Sequence, residues 1–458
     1  MQTKEYIENI CMHIKSKPVR NEIAKELENH IQEQKECYIE EGIENNVAEE
    51  MAIKQMGDAT EIGKKLNKIH RPQLDWKLLI ILVITLAFGL LVTITRAESL
   101  AIDNTATGIM TKYIFSLSIA VMLGIAIYFI DYRKIQKHSL SIYIFSTAII
   151  IYTLLFGARK NGMPFLRFGN FYCSASSIAI PLYLIAFVGF IQNINKEKNI
   201  KINFLDYKEI CINVDFIKII FYSLISVIML ISIPAVASAF IVVTAYLIIT
   251  IIKILKDSTN KKKKILNLIL IPTYVIFSIL ILLSVNGPYR SQRIVTSFNP
   301  ELDPEGSGWH GVQQNLIINS AQLIGEAGNM SNAIETFDEG TNYAFISLLA
   351  HYGWIISMSM VIAIMLLNIK IIINATKIKD LYGKLLITAI ASMFILKSVC
   401  NILMNLNLGI KADFNIPFIS YGIANLIIDI MCLSLVLSIY RRKNINLSNG
   451  MNRVVNET

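Results

Sequence analysis

The chain has 458 residues, 54% of them hydrophobic and only 17% charged, with a formal net charge of +9. Soluble domains run nearer about 45–50% apolar, so the composition points to the membrane class. No basic cluster of the nucleic-acid-binding kind occurs, and the six cysteines (Cys11, Cys37, Cys173, Cys211, Cys400, Cys432) have no paired spacing, which argues against a disulfide framework and a thiolate metal centre.

Residues 1–72 hold 11 Lys/Arg and 14 Asp/Glu, so the net positive charge arises from the rest of the chain. This segment is predicted to be a small helical domain. Pro18 opens a helix in which Ile23, Leu27, His30 and Ile31 recur every three to four residues and form one buried stripe, and Gly42 ends it. "NNVAEEMAIKQMGD" is a second helix stopped at Gly57, and Asp58 caps a third, "ATEIGKKLNKIH". The polar, helical N-terminus argues against a signal peptide. Trp76 and Lys77 mark the entry into the membrane.

Apolar runs of spanning length follow near 77–95, 113–130, 141–158, 173–192, 216–233, 235–254, 265–285, 343–369, 384–404 and 416–440. Only "IPAVAS" separates the fifth from the sixth, and Pro234 supplies the break. Ten spans place both termini on one side. Loops 131–139, 193–215, 253–264 and 370–384, together with Arg441, Arg442 and Lys443, put the dense Lys/Arg on that same side, with the run Lys261–Lys264 as a membrane-flanking loop. The positive-inside rule makes it cytoplasmic. The expected architecture is all-α: ten transmembrane helices over 73–443 with a large outer loop at 286–342, the cytoplasmic helical domain 1–72, and a cytoplasmic tail 444–458.

Basic residues on the outer side gather at few places: Arg159, Lys160 and Arg167 after the third span, Arg290 and Arg293 at the start of the long loop, and Lys411 before the last span. An anion held at the outer leaflet accounts for them; lipid headgroup contact accounts for them equally well. The outer loop is far longer than ordinary connections. Asn299-Pro300, Asp303-Pro304 and Gly306-Ser307-Gly308 give its first half turn chemistry. "WHGVQQNLIINSAQLIG" reads as a re-entrant or surface helix whose Gln313, Gln314, Asn315 and Asn319 either contact a sugar or form a wet face. At its end, "FDEGTNYAF" (337–345) sets Asp338, Glu339 and Asn342 at the lip of the eighth span.

Three stretches carry a resemblance. "YRSQRI", "FNPELDPEGSG" and "QQNLI" resemble the outer loop of the SEDS family, the FtsW/RodA/SpoVE cell-wall polymerases. "NILMNLNLGIKADFNIPFISYG" (401–422) looks like the family's signature before its last span, with Pro417, Ser420, Tyr421 and Gly422 in place, and "GMPFLRFGNF" (162–171) is a weaker match. The resemblance covers about residues 77–443; residues 1–72 resemble, more loosely, helical prefix domains of bacterial membrane proteins. It implies a bacterial plasma-membrane protein of peptidoglycan synthesis, cell division or cell shape. The implied activity is polymerisation of lipid II, an undecaprenyl-pyrophosphate-linked precursor, with a class B penicillin-binding protein as partner. A loop aspartate at the mouth of the eighth span is the implied general base, and arginines or a divalent cation (Mg or Mn) the implied offset for the departing pyrophosphate.

This chain departs from that pattern at the base. Aligned on Thr341, Gly340 stands where the family has histidine, and Asn342 where it has aspartate; an amide cannot accept the proton. The acidic pair farther along becomes Ala350 and His351, Pro-Asp-x-Gly-Thr becomes Pro234-Ala235-Val236-Ala237-Ser238, and Gln-Pro-Ser-Glu becomes Ser174-Ala175-Ser176-Ser177. Asp338 and Glu339 substitute for the base if 338–345 is already helical, which puts one of them on the face of Asn342. Otherwise they form a solvated, acidic helix start. Two charges lie within spans, Lys397 and Asp429: a structural pair, or, for Lys397, a hold on the lipid pyrophosphate. Three functions stay open: a SEDS-type glycosyltransferase with an unusual base, a catalytically degenerate scaffold or regulator, and a transporter of lipid-linked precursor.

Overall fold

The computed structural model describes residues 2–14, 17–70, 73–99, 106–160, 163–169, 171–193, 199–204, 208–256, 279, 288–328 and 341–443. The chain divides into two units, Met1–Asp75 with Ile439–Thr458, and Trp76–Ser438.

The N-terminal unit holds four helices: α1 (Thr3–Met12), α2 (Lys17–Glu40), α3 (Asn45–Met56) and α4 (Ala59–His70). Their apolar stripes meet in one core of Tyr6, Ile7, Ile10, Ile14, Ile23, Leu27, Ile31, Ala52, Ile53, Ile62 and Leu66. Gly42 and Gly57 end their helices with φ of 89° and 93°, and the Asp58 carboxylate accepts from the Glu61 N–H at 2.9 Å as the cap of α4. His30 does not join the stripe: its side chain is 36% exposed and lies 3.7 Å from Glu33, because one turn of α2 brings Ile31 inward and turns its neighbour to solvent. Glu49 accepts from the Thr3 hydroxyl at 2.6 Å and lies 2.9 Å from Lys35, tying α3 to α1 and α2.

The second unit is built on helices α5 (Trp76–Ser99), α6 (Ala106–Phe129), α7 (Tyr132–Lys137), α8 (Ser139–Phe156), α9 (Ala175–Gln192), α10 (Val214–Ser232), α11 (Val236–Lys256), α12 (Pro288–Phe298), α13 (Trp309–Ser320), α14 (Ala344–Lys377), α15 (Leu381–Asn405) and α16 (Ile423–Arg441). Eight of them, α5, α6, α8, α9, α11, α14, α15 and α16, are long and apolar enough to cross a membrane. The described apolar part of α10, Lys218–Ser232, is shorter. The expected seventh span, 265–285, lies outside the described residues apart from position 279. The chain is a multi-pass membrane protein, mostly helical, with eight candidate spans among the described residues.

Not every described connection is helical. Strands β1 (Ala158–Lys160), β2 (Met163–Phe168) and β3 (Phe171–Cys173) make an antiparallel sheet in that order, and β4 (Asn199–Phe204) pairs with β5 (Lys208–Asn213) in register Asn199↔Asn213. Between spans, hairpins satisfy backbone groups that no helix serves. Within the bundle, tyrosines lock neighbouring helices. The Tyr143 hydroxyl donates to the Tyr222 carbonyl at 2.9 Å, and Phe187 stacks on Tyr246 at 3.8 Å. These contacts tie α8 to α10 and α9 to α11, each polar tip finding a partner inside an apolar layer.

Helix α14 is broken at Gly353, whose φ of 81° and ψ of −173° leave the helical region. An extended strap, residues 322–327, pairs with the break. Gly325 and Ala327 donate to the carbonyls of Tyr352 and Ala350 (3.3 and 2.8 Å), and Trp354 and Ile355 donate to those of Gln322 and Leu323 (3.0 and 3.1 Å). A Cβ at position 353 would lie 2.6 Å from the Gln322 oxygen, so only glycine fits both the angle and the approach.

Candidate functional site

The position of the expected base is held from α15. Thr341 and Asn342 form a turn, and α14 starts only at Ala344. The premise of a helix over 338–345 is therefore not met at 341–343, and Asp338 and Glu339 lie outside the described residues. Asn401 and Asn405, one turn apart on α15, both donate their amide Nδ2 to the Asn342 carbonyl, at 2.7 and 3.0 Å. Asn405 Oδ1 accepts from the Ile346 N–H at 3.4 Å, and Asn401 Nδ2 also donates to the Phe414 carbonyl at 2.5 Å. Both asparagines are fully buried. Each carbonyl so bonded avoids the cost of an unsatisfied buried acceptor, on the order of 1–3 kcal/mol. The result is a rigid seat for residue 342, joined to the loop that precedes α16.

That loop, 406–422, folds inward rather than extending α16. Phe418 has φ 67°, the Ser420 hydroxyl accepts from the Ile416 N–H at 2.8 Å, and the Phe418 N–H donates to Asp429 Oδ2 at 3.3 Å. The span expected from 416 consequently begins at Ile423. Hydropathy cannot separate a buried apolar turn from a helix, and Pro417 cannot donate to a helical ladder. The later start also brings the two intramembrane charges level. Lys397 is eight residues from the C-terminal end of α15 and Asp429 six from the N-terminal end of α16, about 12 and 9 Å at 1.5 Å per residue. Lys397 Nζ lies 3.7 Å from Asp429 Oδ1, with side chains 4% and 1% exposed. Lys397, a candidate hold on the pyrophosphate, is thus a partner of Asp429, and the pair seats the 416–420 turn.

The described segment 288–328 packs onto the same region. Asp303 accepts from the Ser307 N–H and hydroxyl at 2.8 and 2.9 Å, which fixes the "DPEGS" turn and holds its carboxyl below the usual range. Gln314 on α13 is buried and donates to the Met404 carbonyl at 3.3 Å, and Asn315 accepts from Asn407 at 2.8 Å. These two side chains clamp α13 to the end of α15 instead of forming a wet face. The Lys411 N–H donates to Ser297 at 3.0 Å. Its ammonium is buried, with no hydrogen-bond partner among the described residues. Burial, and then the nearby Arg293, lower its pKa to about 8.

A polar cluster closes the site from α5. The Thr95 and Ser347 hydroxyls meet at 3.0 Å, and the Arg96 guanidinium sits over the Tyr421 ring at 4.8 Å. His351 Nδ1 lies 2.9 Å from the Ser347 carbonyl. Glu98 is near enough to Tyr352 to act on it electrostatically.

The structure joins Asn342, Ser420, Tyr421 and Lys411 through α15 and the 406–422 loop, with Arg293 beside Lys411. Arg167 is elsewhere, exposed on β2, donating Nε to the Gly169 carbonyl at 2.9 Å. The Arg290 side chain is outside the described residues. Sequence reasoning missed Asn401, Asn405, Thr95 and Arg96. Two amides one turn apart in an apolar span were the available signal for the first pair. Among the described residues no three His, Cys, Asp or Glu side chains converge to hold a metal ion.

Known proteins resemble this chain in sequence and fold. The family model described as a cell cycle protein, FtsW/RodA/SpoVE, matches residues 75–445. The chain is 27% identical over 161 residues to peptidoglycan glycosyltransferase RodA of Treponema pallidum, covering 34% of this chain and 37% of that protein. Stage V sporulation protein E of Bacillus subtilis is 27% identical over 161 residues, 35% of this chain and 44% of that one. These matches span less than half the length of the curated relatives. Among solved structures, a chain of a peptidoglycan synthase complex that coordinates polymerization and crosslinking superposes with a TM-score of 0.61 at 18% identity, covering 81% of this chain and 98% of that chain. The rod shape determining protein RodA of Thermus thermophilus superposes with a TM-score of 0.54 at 14% identity, covering 81% and 97%. With the family model matching more than half of its length, this chain belongs to the FtsW/RodA/SpoVE family of cell cycle proteins.

Proposed function

We propose that this chain acts in peptidoglycan synthesis as a membrane glycosyltransferase that extends glycan from lipid II, in a bacterial plasma membrane with both termini cytoplasmic. The observation that carries this reading is the seat of residue 342. Two buried asparagines hold its backbone against the 406–422 loop, at the position where the family resemblance implies the base. In the reaction the acceptor hydroxyl attacks the anomeric carbon as the pyrophosphate leaves, and a base takes the hydroxyl proton. Asp338 and Glu339 stay candidates for that base by their place in the chain. Arg290, Arg293, Lys411, Ser420 and Tyr421 belong to the proposed substrate-binding side, with Arg167 on the outer hairpin; a penicillin-binding protein is the proposed partner. The Lys/Arg bias of the inner loops supports the orientation, and labelling of single introduced cysteines from either side checks it.

Purified protein incubated with labelled lipid II tests the activity: polymer is expected from the parent chain, and more from Asn342→Asp. No polymer from either sinks the reading. One observation favours a second function, a scaffold that binds lipid-linked sugar without joining it: the amide at 342 cannot take a proton. Lipid II binding without polymer in the same assay decides for it.

A further inference from the structure

The basic residues that follow α8 lie on a sheet whose register fixes its height at the membrane. Helices α8 and α9 have 18 residues each, about 27 Å at 1.5 Å per residue, close to the hydrocarbon thickness of about 30 Å. Phe156 and Ala175, their ends at this connection, therefore lie at the edge of the hydrocarbon. The sheet begins two residues after Phe156 and ends two before Ala175. Ala158 pairs with Phe165 and Cys173 with Leu166, so both junctions meet adjacent residues in the middle of β2. Every strand residue is within two positions of one of those rungs, about 7 Å at 3.3 Å per residue. The headgroup layer is itself about 5–8 Å deep on each side. The sheet therefore lies within that layer rather than standing away from it.

Its two faces differ. Leu166 and Cys173, opposite each other, are buried on one face. Arg167 and Tyr172, opposite each other on the next rung, are exposed, with the guanidinium 6.0 Å over the Tyr172 ring. Met163, 40% exposed, shares their face by strand alternation. The sheet continues from the end of α8 at which Leu155 and Phe156 are 70% and 72% exposed, on a helix apolar enough to span a bilayer. Residues 157–173 contain Arg159, Lys160 and Arg167 and neither Asp nor Glu. The Arg167 Nε donates to the Gly169 carbonyl at 2.9 Å, and among the described residues no carboxylate compensates its charge. An aromatic with a polar tip, a methionine and long basic side chains are the chemistry of a bilayer interface.

We propose that this sheet is a docking surface for anionic phospholipid headgroups, with Arg167 and Tyr172 as its central contact pair. Arg159 and Lys160 add charge from the neighbouring strand. Each basic residue at an anionic surface strengthens attachment by roughly fivefold. The phosphate that Arg167 meets is that of a bilayer lipid, and the inference holds whatever chemistry takes place at residue 342. A lipid-linked pyrophosphate is the other source of the same chemistry, and the experiment separates the two.

Full-length Tyr172→Trp protein, reconstituted in phosphatidylcholine vesicles with and without phosphatidylglycerol, provides the probe, once the parent's emission from Trp76, Trp309 and Trp354 is subtracted. The added emission is expected to be shielded from aqueous iodide and quenched by lipids spin-labelled near the headgroup. Labelled phosphatidylglycerol should quench more than labelled phosphatidylcholine. Arg167→Gln in the same background is expected to lower that ratio by up to roughly fivefold. Arg167→Lys, which keeps the charge, is expected to retain it. Both positions are exposed, so the melting curves of all variants should match the parent's. Emission that iodide reaches fully and lipid quenchers do not overturns the inference. A ratio unchanged in R167Q, or lost equally in R167K, overturns it too. Shielding that appears only when lipid II is added assigns the surface to substrate and overturns it as well, leaving the polymerase reading standing.

Discussion

Lys397 and Asp429 are each nearly solvent-free and 3.7 Å apart, and Asp429 also receives the Phe418 N–H. Replacing Lys397 by Met strands a buried carboxylate, with an expected loss of about 3–5 kcal/mol, whereas removing both charges in K397M/D429L costs less. Thermal unfolding in detergent of the single and double variants checks this; equal losses contradict it. Lys411 obeys a different balance. Burial lowers its pKa to about 8, below its value in an unfolded chain, so the folded protein holds this proton less tightly. Its neutral form favours folding. Stability should therefore rise as pH climbs from about 8 toward 10.5, and the cost is present in full below pH 8. Lys411→Met is expected to raise the melting temperature at pH 7 and to flatten this slope, read from melting curves between pH 7 and 10.

At the level of elements, the break in α14 is held by the strap that pairs with it. Four hydrogen bonds link the strap 322–327 to residues 350–355, and all depend on the left-handed Gly353. Gly353→Ala forces either the angle or the Gln322 carbonyl to shift, at a cost of roughly 1–3 kcal/mol. Hydrogen exchange should show the loss confined first to 322–327 and 350–355; unchanged protection there contradicts the role given to the strap. The N-terminal caps, by contrast, were readable in advance. Gly42, Gly57 and Asp58 sit where helix-ending glycine and capping aspartate belong, because those residue types act through their own backbone and nearest neighbours. The 416–422 turn was misread as helix because its residues are apolar, and what bends it is Asp429 and Ser420, met only in the folded chain.

On the scale of the whole molecule, residues 1–70 enclose their own core, eleven buried side chains in one cluster. Expressed alone, residues 1–72 are expected to give a helical circular dichroism spectrum and a cooperative melt, as a segment with its own core does. A featureless, non-cooperative melt contradicts that. The membrane unit derives its cohesion differently. Its helices are apolar all round, so lipid does not drive them together. Buried hydroxyls, amides and stacked aromatics specify the neighbours instead, as Thr95 with Ser347, Tyr143 with Tyr222, and Asn405 with Asn342 do.

The sequence by itself determined the membrane class, the positions of most spans, the separate N-terminal segment and the family, because each is written in local hydropathy, charge and contiguous motifs. It also marked Asn342 as the position where the resemblance implies a carboxylate. Tertiary structure alone decided what surrounds that position. Asn401 and Asn405 are 59 and 63 residues away along the chain, and Thr95 is 252 residues from Ser347. Hydrogen bonds across such separations exist only once the helices pack, and a broken helix shows itself only when a strap arrives to take its free backbone groups.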